Sequence, residues 1–222
     1  SSGDGSGFLQ TRIGVQDGDL ASVLWTKAGA AVATGRFDLD MGVETSGASV
    51  RAMAEGMTGS GTATLRDVVI RGIDTGALPA VMAAADAMQG EISPATIEEA
   101  VRRSVLAGQS AIGNVTVPFN IAGGTLRAQN VTAANEGASL SADAEIALAD
   151  QRMTASATVK FNAGDAALAG AEPQVRLDYA GLLEAPGVTM DVTDISSCSS
   201  VAYQLAAPEG KFSVFRDMAQ PD

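Results

Sequence analysis

Apolar and polar residues alternate along much of the chain. From Leu140 to Leu148 every second side chain is apolar, and the alternation resumes from Met153 to Phe161 after the connection Ala149-Asp150-Gln151-Arg152. A period of two places successive side chains on opposite faces of a β-strand. The sequence therefore predicts an antiparallel hairpin with one apolar and one polar face.

Similar alternation predicts further strands on both sides of this hairpin. They are Leu9–Val15, Leu20–Thr26, Phe37–Met41, Gly61–Ile73, Val115–Ile121, Thr125–Ala133, Val175–Tyr179 and Val188–Val192. Breaks such as Asp17-Gly18-Asp19 and Gly123-Gly124 favour a meander with short turns. Because proline cannot donate to a β-ladder, we expect Pro118 to mark an edge strand or a bulge.

The apolar period becomes helical between about residues 78 and 107. A first helix is predicted over Leu78–Met88 and ends by Gly90. A second helix has Ser93 as N-cap and Pro94 in its first turn, and Gly108 terminates it. We expect its apolar stripe to pack on a sheet. The stripe consists of Ile97, Ala100, Val101, Val105 and Leu106.

These patterns predict a mainly β fold with a helical insertion at residues 78–107. We expect a single domain over residues 8–205, a disordered edge segment of a longer protein at 1–7, and a poorly defined tail at 206–222. The composition is 46% hydrophobic but only 4% aromatic, with 25 glycines. Small side chains favour an extended, shallow architecture over a thick core.

The charge of the chain excludes some partners. Lys and Arg number 14 against 26 Asp and Glu, a net charge of −12, which repels nucleic acid. No apolar run approaches the roughly 20 residues that cross a bilayer. Any anchor is therefore expected in a part of the parent protein outside these residues.

Candidate catalytic chemistry is sparse. The chain has no histidine, so triads with a histidine base and His-ligated zinc are excluded. No lysine follows a serine in a Ser-x-x-Lys motif on a predicted helix. Cys198 lacks an activating histidine and is interpreted as a structural or incidental thiol. We predict no enzyme activity, no cofactor and no metal site.

Carboxylates have a plainer interpretation than catalysis or metal binding. Asp38 with Asp40, and Asp143 with Glu145, share strand faces as glycosidase acids do, but they alternate with apolar residues as solvent-side positions. Asp17-Gly18-Asp19 lacks the twelve-residue calcium loop and is interpreted as a hairpin turn.

Three segments in order carry a family resemblance. Residues 59–74, followed by Leu78, resemble the C-terminal region of the AsmA family of bacterial envelope proteins, in which a glycine-led strand runs into a Gly-Ile-Asp turn and helices. Residues 119–161 resemble its sequence of strand, glycine turn, strand and amphipathic hairpin. Residues 173–181, followed by Pro186 and Asp191, resemble its closing strand. The chain departs from the family at Asp67-Val68 and at Ser196–Ser200.

The resemblance implies a curved antiparallel sheet, half-pipe in form, that encloses an apolar groove. It also implies a periplasmic location within an inner-membrane-anchored protein of a Gram-negative bacterium, and a non-enzymatic role in lipid transport between the membranes and in outer-membrane biogenesis. Acyl chains, the remainder of the parent chain and other envelope proteins are the implied partners. The lipid-facing candidates are Leu140, Ala144, Ile146, Leu148, Met153, Val159 and Phe161.

Two other interpretations stay open. In the first, the chain is a structural or interaction module that caps a larger envelope protein, and its apolar strand faces form an ordinary core. In the second, the chain is a small hydrolase, and only the abundance of serine and carboxylate side chains favours this interpretation.

Overall fold

A meander of nine long antiparallel strands forms the body of the protein. The computed structural model describes residues 7–77, 80, 94–162 and 173–192. Its strands are β1 (Gly7–Asp19), β2 (Thr26–Lys27), β3 (Ala30–Ala31), β4 (Ala33–Gly47), β5 (Thr58–Arg71), β6 (Gln109–Ala122), β7 (Thr125–Ala134), β8 (Ala138–Ala147), β9 (Arg152–Phe161), β10 (Gln174–Leu182) and β11 (Ala185–Asp191). The helices are α1 (Val50–Glu55) and α2 (Pro94–Leu106).

The long strands follow one another across a single sheet. Their order is β1-β4-β5-β6-β7-β8-β9-β10-β11, and the short ribbon β2-β3 projects between β1 and β4. β1 and β11 each pair with one neighbour among the described strands, so the sheet is open. This confirms the prediction of a mainly β fold with an antiparallel sheet and short helices.

Strand registers place the apolar side chains on one face of the sheet. Leu140 lies opposite Val159, and Ala157 lies opposite Leu177, so paired residues extend the same face from β8 through β10. The other face carries exposed ion pairs, such as Arg12 with Asp40 at 2.9 Å. Exposed pairs contribute at most about 1 kcal/mol each, so burial of the apolar face is the larger stabilising term.

Three bulges share one local design. In β1, β5 and β7 an Asp or Asn adopts a positive φ of 51–54°, and its backbone N–H donates to an Asp or Asn side chain of the next strand in the sheet. The pairs are Asp17 with Asp38 (2.8 Å), Asp67 with Asn114 (3.2 Å) and Asn130 with Asp143 (2.8 Å). Bulges bend strands and increase their twist, so this repeated feature curves the sheet. Asp17-Gly18-Asp19 is therefore a bulge within β1, not the predicted hairpin turn.

Glycines allow close packing on the apolar face of β5. A Cβ on Gly61 would lie 2.5 Å from Cζ of Phe119 and 2.6 Å from Cβ of Met41. The side chains of the strands on either side therefore meet over a residue that has none. Such contact over a glycine is typical of a sheet that bends toward this face.

The two helices lie at opposite ends of the strands. α1 connects β4 to β5, and Ser49 caps it by accepting the N–H of Ala52 at 3.1 Å. α2 precedes β6 and packs on the apolar face through Val101 and Val105, which are fully buried. The predicted second helix is confirmed, while the side chains of Ile97 and Ala100 lie outside the described part.

A buried polar network holds the segment after β5 against β6. Ser110 is 4% exposed, accepts the backbone N–H of Thr75 at 2.7 Å and donates to the carbonyl of Ile73 at 2.8 Å. Asn135, in the turn after β7, donates to Oγ1 of Thr75 and to the carbonyl of Ala111. The segment after β5 and the turn after β7 are thus both joined to the start of β6 at the α2 end of the sheet.

β6 and β7 diverge toward the same end. Their pairs run only from Phe119–Ala128 to Ala122–Thr125, and Pro118 comes immediately before this ladder. A proline has no N–H to donate, which explains why the ladder stops there. Pro118 is thus in an internal strand at a fork, not at the edge strand or bulge that was expected.

Residues Leu20–Thr26 do not form the predicted strand. Leu20–Ser22 is a 3-10 turn, and Asp19 caps it by accepting the N–H of Ala21 at 3.1 Å. The aspartate offers the backbone a local hydrogen bond that competes with a sheet ladder. The predicted helix Leu78–Met88, Cys198 and the tail 206–222 lie outside the described residues, apart from helical Ala80, while Gly7 already belongs to β1.

Candidate functional site

A large apolar groove lies on the concave face of the sheet. Its volume is about 940 Å³, near the upper end of the 300–1,000 Å³ range typical of ligand pockets. Strands β4 to β11 contribute to its lining, together with the segment between β1 and β4 and the C-terminal part of α2. Most of the lining side chains are aliphatic.

Alanine pairs create much of the space in the groove. Ala142 lies opposite Ala157, and Ala144 lies opposite Ala155, so the centre of the β8–β9 hairpin presents only methyl groups. All four line the groove and are only partly buried. Larger side chains at these positions would fill the volume, because protein interiors are normally packed with protein atoms.

The segment between β1 and β4 forms one wall. Leu20 is 7% exposed and anchors the segment in a cluster with Val68, Ile112 and Val115. Trp25 follows, and its ring lies 5.9 Å from that of Tyr179, centroid to centroid. Both rings line the groove, so this contact joins its two sides.

Helix α2 closes one end of the groove. Val101 and Val105 are buried against the sheet, whereas Leu106 and Arg102 line the groove. The backbone N–H of Asp74 donates to the carbonyl of Val105 at 2.8 Å, which ties the end of the helix to the segment after β5. The helix thus blocks one end of the apolar face and leaves the middle open.

The structure divides the lipid-facing candidates into groups. Leu140, Ala144 and Met153 line the groove. Val159 and Phe161 are 0% and 5% exposed and belong to the core beneath α2. The other two do not line it: Ile146 lies on the same face opposite Met153, and Leu148 follows the end of β8 at Ala147.

Sequence reasoning found Ala144 but missed other groove residues, which are Trp25, Tyr179, Ala142, Ala155 and Ala157. Alternation marked Tyr179 and Ala157 as apolar-face positions, but it cannot distinguish a filled core from a void. Trp25 is the only tryptophan and directly follows Leu24, a signal that was available in the sequence.

Four carboxylates that could have formed catalytic pairs take part in local structure instead. The carboxylates considered as catalytic pairs each have a local partner. Asp38 pairs with Arg66, Asp40 with Arg12 and Glu145 with Arg127, while Asp143 accepts the N–H of Asn130. Within the described part of the chain, no group of three or more His, Cys, Asp or Glu is arranged to hold a metal ion. Burial raises the pKa of the Tyr179 hydroxyl, because the tyrosinate would lose water.

This arrangement can shield an apolar molecule from water and hold it by dispersion and hydrophobic contact. Comparison with protein families, with curated proteins and with solved structures gives no match. None of the helices in the described ranges is both long and apolar enough to cross a membrane.

Proposed function

We propose that this chain is a non-enzymatic lipid-handling domain whose groove holds acyl chains. The single observation that carries the proposal is the groove of about 940 Å³, lined by aliphatic side chains and left unfilled by opposed alanines. A protein whose apolar strand faces served only as a core would pack that volume.

The energetics favour an acyl chain in such a space. Each methylene removed from water contributes about 0.8 kcal/mol, so ten methylenes contribute about 8 kcal/mol. Association also costs translational and rotational freedom, so only part of this gain appears as affinity.

The wider setting of the proposal comes from the family resemblance. We place the domain in an AsmA-like protein of the Gram-negative envelope, in the periplasm, with a membrane anchor elsewhere in the parent. Its role there is lipid transport between the inner and outer membranes in support of outer-membrane biogenesis. The acidic surface supports this setting, since a net charge of −12 limits adhesion to anionic membranes.

Trp25 provides a direct test, because it is the only tryptophan and lines the groove. Lysophospholipid with a brominated acyl chain should quench its fluorescence at saturable concentrations, whereas the unbrominated lipid should not. Native mass spectrometry of the same sample should show the lipid bound.

The matched control moves the tryptophan out of the groove. In a Phe8→Trp, Trp25→Phe double variant the indole replaces an aromatic residue that is 69% exposed and does not line the groove. This variant should bind the lipid without quenching. Equal quenching at both positions, or no saturable binding, would reject the proposal.

The interaction-module alternative has one observation in its favour. Edge strand β1 exposes Phe8 and Leu9, at 69% and 47%, and has one partner strand in the described part. An exposed edge with apolar side chains is a docking surface for an added strand. Photo-crosslinking residues at Leu9 and Ala155 separate the two functions: protein adducts at Leu9 favour docking, and lipid adducts at Ala155 favour the groove.

A further inference from the structure

Lys27 and Arg71, which line the groove, differ from most cations of the described chain. Seven arginines form ion pairs with carboxylates within 4.0 Å. They are Arg12, Arg36, Arg51, Arg66, Arg103, Arg127 and Arg176. Lys27 and Arg71 line the groove, yet neither side chain has an ion pair or hydrogen bond within the described ranges. Carboxylates outnumber cations in this chain, so unpaired cations beside an aliphatic surface need a reason.

Backbone hydrogen bonds place Lys27 and Arg71 at one corner of the groove. The N–H of Arg71 donates to the carbonyl of Val32 at 2.9 Å, and the N–H of Val32 donates to the carbonyl of Trp25 at 3.2 Å. Lys27 is two residues beyond Trp25, in the β2-β3 ribbon. Both residues are exposed, so the corner is in contact with solvent.

The corner has the chemistry to bind a phosphate. Arginine presents a planar fork of N–H donors that matches phosphate oxygens, and lysine supplies a compact positive charge. Arg102 also lines the groove, but its guanidinium already donates to the carbonyl of Met190 at 3.4 Å, on the β11 side. Among the cations that line the groove, the two without a partner thus lie at the β2-β3 corner.

We propose that Lys27 and Arg71 bind the anionic phosphate of an acyl lipid whose chain lies in the groove. This inference rests on the proposed function and adds the class of lipid and its orientation. The chain lies along the alanine pairs of β8 and β9, and the head remains in water at the β2-β3 corner. The local positive charge also selects against lipids without a negative head, since those would gain nothing from either cation.

Three probes that share a palmitoyl-glycerol unit test the inference. Palmitoyl lysophosphatidic acid has an anionic phosphate, palmitoyl lysophosphatidylcholine a zwitterionic head, and monopalmitin no charge. Titration followed by Trp25 emission should show lysophosphatidic acid binding about tenfold more tightly than monopalmitin, equivalent to about 1.4 kcal/mol. Lysophosphatidylcholine should fall between them, and added salt should weaken only the charged probes.

Matched variants isolate the two cations from the overall charge. Lys27→Gln with Arg71→Gln should lower the affinity for lysophosphatidic acid to about that for monopalmitin, which removes the preference. Arg103→Gln with Arg152→Gln removes the same charge at exposed positions outside the groove and should preserve the preference within about twofold. Inorganic phosphate alone should not displace either lipid.

Each other outcome has a definite meaning. If lysophosphatidic acid and monopalmitin bind equally, or both double variants lose the preference equally, the head-group inference fails and the proposed function stands. Displacement by inorganic phosphate alone would reduce the corner to an anion site and also overturn the inference. If no palmitoyl probe binds, the proposed function itself fails.

Discussion

The ring of Trp25 lies against the ring of Tyr179, with 5.9 Å between centroids and 60° between ring planes. The carbonyl of Trp25 accepts a hydrogen bond from the N–H of Val32, which lies beside β4. Tyr179 is in β10, and strands β5 to β9 lie between β4 and β10. Six strand spacings of about 4.8 Å would separate β4 from β10 by about 29 Å in a flat sheet. The contact is therefore possible only because the sheet curls and the Trp25 segment reaches over its concave face.

Filling the groove should reduce lipid binding without destabilising the fold. Ala155→Leu adds volume where Ala144 lies opposite and the groove is open, so the free energy of unfolding should change by less than about 1 kcal/mol. Affinity for an acyl lipid should fall about tenfold. Ala180→Leu, on the exposed opposite face of β10, is the control and should change neither quantity. A loss of about 1–3 kcal/mol for Ala155→Leu, with unchanged lipid affinity, would indicate a packed core instead.

Truncating Val105, the smaller of two adjacent residues of α2, should destabilise the fold more than truncating Leu106. Val105 is fully buried, and Val105→Ala should lower the free energy of unfolding by about 1.5–3 kcal/mol. Leu106 is only partly buried and lines the groove, so Leu106→Ala should cost less despite removing more atoms. Urea denaturation of both variants measures the difference. Equal costs would show that the groove side of α2 is packed as tightly as its core side.

The Thr75–Ser110–Asn135 network should be a separate determinant of stability. Ser110→Ala removes the acceptor of the Thr75 N–H and the donor to the Ile73 carbonyl, and both partners remain at a buried site. The expected cost is about 1–3 kcal/mol in chemical denaturation. Ser139→Ala, at an exposed position of β8, provides the comparison and should be nearly neutral. A neutral Ser110→Ala would mean that water replaces the lost hydroxyl.

Alternation was sufficient to predict the β8–β9 hairpin, because one face is apolar and each strand keeps its period. It failed at Leu20–Thr26, where an Asp19 cap and the cluster around Leu20 decide the local structure. The fork at Pro118 depends on where β6 and β7 separate, and the alternation within one strand does not encode that.

The candidate site was harder to predict than the fold. Val159 and Ala157 are two residues apart on the same face, yet Val159 lies under α2 and Ala157 faces the groove. Their difference depends on where a distant helix packs. The alternation therefore predicts which residues lie on the apolar face, but not which of them helix α2 covers.

Titration of Tyr179 should report both its burial and the occupancy of the groove. Burial raises its pKa above the ordinary 10.0, so the neutral form is favoured when folded. The stability linked to this group is therefore fully present below pH 10.0 and is lost as the pH rises through the folded pKa. In a Tyr203→Phe variant Tyr179 is the only tyrosine, and its tyrosinate absorbance should appear at higher pH than in the denatured chain.

Bound acyl lipid removes more water from the Tyr179 ring and should raise the pKa of its hydroxyl further. As a control, Tyr179→Phe should abolish this late transition. An ordinary pKa for Tyr179 without lipid would contradict its burial. A pKa unchanged by bound lipid would show that the acyl chain lies away from this ring.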